Sequence, residues 1–86
     1  MEHGATDKRI AVLAVIVENK GDTAERLNAI LHEYADCVIG RMGIPCRDRG
    51  VSVMSVVVDA PVSVTSALSG RVGALPGVSV KTAYAK

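Results

Sequence analysis

The sequence predicts an α+β domain, a four-stranded antiparallel sheet with two helices on one face, and three observations predict it. Runs rich in β-branched residues alternate with stretches of helical periodicity in the order strand, helix, strand, strand, helix, strand. The first and third strand-like runs are the most apolar, and right-handed crossovers place those two in the middle of such a sheet. A length of 86 residues leaves room for a single core.

The first eight residues, MEHGATDK, are polar and read as a flexible tail, so the domain is expected over 9–86. Residues Arg9 to Val17, RIAVLAVIV, are apolar at odd and even positions alike, which suits a strand covered on both faces. Glu18-Asn19-Lys20-Gly21 is turn material. Asp22 followed by Glu25 has the spacing of a capping box, so a helix is expected to start here. Its apolar face is Ala24, Leu27, Ile30, Leu31 and Tyr34, its wet side Glu25, Arg26, His32 and Glu33, and its end near Ala35.

Cys37 to Ile44 reads as a second strand, weakened by Gly40 and Gly43 and closed by Pro45, which suits a sheet edge with a bulge. Arg47-Asp48-Arg49-Gly50 reverses the chain into a third strand from Val51 to Asp59. Ala60-Pro61 is expected to break it, with Ser63 capping a second helix whose face is Val64, Ala67, Leu68, Val72 and Leu75. Pro76-Gly77 ends that helix, and Val78 to Tyr84 supplies the last strand. This βαββαβ order is the ferredoxin-like plan.

Both sides of the first strand are aliphatic: Ile10, Val12, Ala14 and Ile16 on one, Ala11, Leu13, Val15 and Val17 on the other. Helices can cover only one. At about 25 cal/mol per Å², leaving several aliphatic side chains wet forgoes several kcal/mol, a large share of a small domain's stability. Self-association through the open face or the sheet edges is therefore expected.

Composition excludes much. A net charge of +1 gives no overall attraction to nucleic acid or anionic membrane, and the apolar run Ile10–Val17 is too short to span a bilayer. The tail lacks the blocks of a secretory signal, which points to the cytoplasm. Arg49 to Val56 starts like an RNA-binding strand, but aliphatic residues stand where stacking aromatics belong. Cys37 and Cys46 are nine positions apart without CxxC spacing, and with His3 in the tail and His32 on the wet side of its helix no metal site or other cofactor is expected within one chain. A site assembled between subunits stays open. No Gly-rich phosphate loop and no acid–base pair is recognisable, so no enzyme is predicted.

One stretch stands out. Three of the ten basic residues, Arg41, Arg47 and Arg49, fall within IGRMGIPCRDRG beside Gly40, Gly43 and Pro45. One reading is a solvated edge hairpin whose arginines are neutralised by Asp48, Glu18 or Asp59. The other is an anion site, with Arg47 and Arg49 pointing together as paired donors.

The same stretch carries a resemblance. Arg9-Ile10-Ala11-Val12, Ile30-Leu31-His32-Glu33-Tyr34, Ile39-Gly40-Arg41-Met42-Gly43-Ile44-Pro45 and Leu75-Pro76-Gly77-Val78-Ser79-Val80-Lys81 resemble the small regulators associated with iron-only hydrogenase systems. The resemblance implies an ACT-like version of the ferredoxin-like fold, similar to the C-terminal effector domain of nickel-responsive repressors, assembling as dimers or tetramers. Members commonly carry Tyr where Cys46 stands. Eight polar residues before Arg9 cannot form a DNA-binding helix motif, so direct nucleic-acid contact is not expected. The combined expectation is a non-enzymatic, homo-oligomeric regulatory domain that binds a small anionic effector or a protein partner. Gly40, Arg41, Met42, Gly43, Ile44, Pro45, Arg47 and Arg49 are its candidate effector or interface residues. A metal-responsive module is the alternative, and a small enzyme follows it.

Overall fold

The computed structural model describes residues 7–85. Its elements are β1 (Lys8–Glu18), α1 (Thr23–Glu33), β2 (Val38–Cys46), a short 3-10 turn (Arg47–Arg49), β3 (Val51–Pro61), α2 (Val62–Gly73) and β4 (Val78–Tyr84). The four strands form one antiparallel sheet in the order β2-β3-β1-β4, which puts the two most apolar strands in the centre as the sequence predicts. This is the ferredoxin-like α+β fold in its ACT-like form. The expected tail lies mostly outside the described residues, as does His3, but Lys8 already belongs to β1.

Alternation along each strand separates two faces. Toward the helices, Ala11, Leu13, Val15 and Val17 of β1 and Val56, Val58 and Ala60 of β3 are buried. Leu27, Ile30 and Leu31 of α1 and Leu68 and Val72 of α2 close over them, so the core is one aliphatic layer between sheet and helices.

Several local expectations are corrected. Asp22 sits at the N-cap of α1 but makes no side-chain cap bond; its ψ of 16° is far from the extended conformation that swings a capping carboxylate over the first turn. α1 gives way to turns after Glu33, before Ala35. Pro45 does not close β2, which continues to Cys46, because an edge strand tolerates a missing N–H. Nor does Ala60-Pro61 break β3: Ala60 pairs with Arg9 and Pro61 with Lys8. The N-cap of α2 is then Pro61, and Ser63 lies inside the helix. The expected helix faces hold at Leu27, Ile30, Leu31, Leu68 and Val72 but differ at their margins, where Ala24 and Ala67 are exposed while Thr23 and Thr65 are buried. Thr23 Oγ1 donates to the Pro76 carbonyl at 3.3 Å, whereas the buried Thr65 hydroxyl has no partner among the described residues.

Gly50 and Gly77 are required by geometry. Gly50 closes the 3-10 turn at φ 67°, and Gly77 adopts φ 74° where a Cβ would come within 3.1 Å of the Glu18 Cβ.

Candidate functional site

The IGRMGIP segment is most of β2, and its alternation divides the candidate residues between two surfaces. A bulge between Val38 and Gly40 sets the parity, so that Gly40, Met42 and Ile44 stand on the outer face of the sheet while Arg41, Gly43 and Pro45 stand on the helix side. Arg47 and Arg49 lie beyond both, in the turn at the tip of the hairpin. The eight candidates are therefore not one site: they contribute to an outer face, a helix-side groove and a tip.

The outer face is built of cross-strand rows. Ile44, Val53, Ile16 and Ser79 form one; Met42, Ser55, Ala14 and Lys81 the next; Gly40, Val57, Val12 and Ala83 the third; Asp59 and Ile10 lie at the end. Met42 is 63% exposed, Ile44 53%, Ile16 45% and Ile10 40%. With strands about 4.8 Å apart and about 3.3 Å per residue, this face projects on the order of 500 Å², the upper end of what a monomer leaves as apolar patch. Lys81 and Asp59 mark its rim. A Cβ added at Gly40 or Gly43 would meet nothing within 4 Å, and neither glycine has a positive φ, so the fold of one chain does not require glycine at either position.

The helix-side groove, about 340 Å³, runs between α1 and the edge strand β2. Leu31, Ala35 and Val38 make its apolar floor; Arg41, Asn28 and His32 are its polar groups. Arg41 reaches across to α1 and donates Nη2–H to Asn28 Oδ1 at 2.6 Å. Sequence reading passed over Asn28, although Asn28, His32 and Ala35 recur at helical spacing beside the buried Leu27 and Leu31.

The tip holds a wider bay of about 560 Å³ formed by the contiguous stretch Pro45 to Arg49, so Arg47 and Arg49 do line one concavity, with Asp48 between them. A third cavity of about 300 Å³ lies at the opposite end of the sheet, where Glu33, Asp36 and Asp59 surround Cys37 and Tyr34. Cys37 donates Sγ–H to the Tyr34 carbonyl at 3.3 Å, and burial pushes its thiol pKa up, the reverse of an activated nucleophile. Cys37 and Cys46 are free thiols near the two ends of β2.

The expected neutralisation of the hairpin arginines is overturned. Among the described residues Arg41, Arg47 and Arg49 take part in no ion pair; Glu18 pairs with Lys20 at 3.6 Å instead, and the other pair is Arg71 with Glu33 at 2.7 Å. The three arginines thus lie outside any direct ion pair, and with Asp48 between Arg47 and Arg49 the hairpin carries a formal charge of +2. Arg71, by contrast, is saturated: it binds Glu33 through both terminal nitrogens and stacks over the Tyr34 ring at 5.7 Å.

These features define a small ferredoxin-like, ACT-like domain with an uncovered apolar sheet face and a basic edge hairpin. Residues 9–82 match the TM1266-like family, described as "Iron-only hydrogenase system regulator, putative", and the chain belongs to that family. It is similar to the solved structure of the uncharacterized protein TM1266 from Thermotoga maritima at 30% identity and a TM-score of 0.89, covering 92% of this chain and 99% of that one. It is also similar to a formyltetrahydrofolate deformylase from Pseudomonas putida KT2440, at 18% identity and a TM-score of 0.60, over 85% of this chain and 28% of the deformylase, a likeness of fold alone. No curated protein matches the chain. Among the described residues no helix is long and apolar enough to cross a membrane.

Proposed function

We propose that this chain is a non-enzymatic, homo-oligomeric sensory module of an iron-only hydrogenase system, which binds a small anionic effector and signals to a protein partner rather than to DNA. It works in the cytoplasm, in keeping with its two free thiols. The observation that carries the reading is the outer face: rows of aliphatic side chains, 40–63% exposed at Ile10, Ile16, Met42 and Ile44, with charge only at the rim. A flat face of this kind is half of an interface. A second copy fits it best, because two identical aliphatic faces are complementary under a two-fold axis. Gly40 on that face, not needed by the single chain, leaves room for a neighbour's side chain.

The regulatory part rests on family membership and on the net positive hairpin, whose arginines are in no direct ion pair. The non-enzymatic part is supported by the raised thiol of Cys37. Sedimentation equilibrium of the full chain at micromolar concentration tests the reading: a dimer or tetramer is expected, and a monomer at every concentration overturns it.

A further inference from the structure

We propose that the groove between α1 and β2 is a binding site for a small carboxylate with a short aliphatic body, held by Arg41 and Asn28 and seated on Leu31 and Val38. This rests on the sensing reading above and names its ligand class and place.

The groove differs from the tip bay in joining two elements, and from both the tip bay and the third cavity in having a cation on its wall with no carboxylate beside it. Arg41 and Asn28 are 13 residues apart and meet at 2.6 Å across two elements. The tip bay comes from one continuous stretch and already holds Asp48 beside its arginines; the third cavity sets three carboxylates, Glu33, Asp36 and Asp59, against the one cation Lys8, a balance that disfavours an anion. Arg41 is braced by a neutral amide rather than a carboxylate, so its orientation is fixed while its charge stays available. One terminal nitrogen is engaged on Asn28, and the guanidinium retains further N–H donors, which a planar carboxylate can meet with two oxygens. Asn28 accepts through Oδ1, and its amide N–H groups have no partner within the described chain. The two side chains thus present donors from both sides of the groove, and His32 lies on the same wall.

The apolar floor sets the rest of the ligand. Leu31 is 4% exposed and belongs to the core, and Val38 packs against that core, so an aliphatic body placed here extends the existing core surface. A cavity of about 340 Å³ accommodates a short-chain acid and is at the small end of ligand pockets. A bare phosphate would leave this floor wet.

The test titrates the full chain with isobutyrate, its neutral amide isobutyramide and inorganic phosphate, followed by NMR of the Asn28 side-chain amide, the Arg41 guanidinium and the Leu31 and Val38 methyls. Isobutyrate is expected to shift all four residues. Arg41→Gln is expected to weaken it about tenfold to a hundredfold, the effect of losing a charge-assisted hydrogen bond. Asn28→Asp, which places a competing carboxylate beside Arg41, is expected to weaken it similarly, while Arg41→Lys retains part of the affinity. Circular dichroism checks that each variant is folded. Equal binding of isobutyramide, preference for phosphate, full affinity in Arg41→Gln, or loss only in an Arg47→Ala/Arg49→Ala variant would each overturn the proposal. Sedimentation of the same samples separates the two readings: an intact oligomer that ignores isobutyrate refutes this site and leaves self-association standing.

Discussion

Replacing Ile16 by Thr probes the outer face. Ile16 lies on a central strand, between Val53 of β3 and Ser79 of β4, and is 45% exposed. Fully burying an isoleucine stabilises by about 1.5–3 kcal/mol, so covering the remaining exposed part contributes about 1 kcal/mol per copy. In a two-fold assembly both copies lose it, about 2 kcal/mol, and each introduced hydroxyl must also be desolvated. The dissociation constant is therefore expected to rise at least about 30-fold. Threonine keeps the β-branched shape that suits a strand, and because the rest of the Ile16 side chain is already covered within the protomer, protomer stability is expected to fall by about 1 kcal/mol. Sedimentation equilibrium measures the first quantity; urea unfolding at a dilution where protomers are separate measures the second, since at higher concentration assembly adds to the apparent stability. Glu25→Gln, on the exposed side of α1, is the control and is expected to change neither. If Ile16→Thr sediments as the parent does, this face is not the interface and the burial reasoning fails.

Four further outcomes follow from particular contacts. Thr65→Val removes a buried hydroxyl without a partner among the described residues and is expected to raise the unfolding free energy by about 1 kcal/mol in urea. Gly77→Ala forces a Cβ onto a residue at φ 74° and within 3.1 Å of Glu18, so a loss of about 1–2 kcal/mol is expected in the same assay. Gly40→Ala meets nothing within 4 Å, and is expected to leave dilute-protomer unfolding unchanged or slightly more stable while weakening assembly in sedimentation. Arg71 hydrogen-bonds Glu33 and holds its carboxyl below the usual 4.5. Because the folded pKa is depressed, that small contribution is present above the unfolded value and is lost as pH falls through the folded one, so urea midpoints taken between about pH 5 and pH 3 should fall less steeply in Glu33→Gln.

The architecture was legible because strand alternation and β-branching are strong local signals, and because β1 is aliphatic on both faces, which only a central strand of this plan requires. The helix faces were legible at Leu27, Ile30, Leu31, Leu68 and Val72 but not at their margins, since Ala and Thr differ too little in hydrophobicity to rank Ala24 against Thr23 or Ala67 against Thr65; packing against the sheet decided those positions. The site was half legible. Charge density marked the hairpin, but counting along Cys37–Pro45 cannot tell which residues face the helices, because the bulge between Val38 and Gly40 resets the parity. Arg41 could not be assigned to the α1 side, nor Asn28 recognised as its partner, without that irregularity.

The same parity joins the two proposals. Arg41 and Met42 are neighbours on one edge strand whose sheet partner among the described residues is β3, so a ligand that drew on Arg41 from the helix side would act on the peptide units that carry Met42 and Ile44 to the outer face. An edge strand interrupted by a bulge shifts more readily than β1 or β3, each held on both sides. Coupling of this kind is reciprocal: whatever factor the carboxylate applies to assembly, assembly applies to carboxylate affinity. A groove far from the outer face would need a chain of packed side chains to carry the effect. Here the two surfaces are the two sides of a single strand, and Gly40 and Gly43, which the isolated fold does not require, stand on either side of Arg41-Met42.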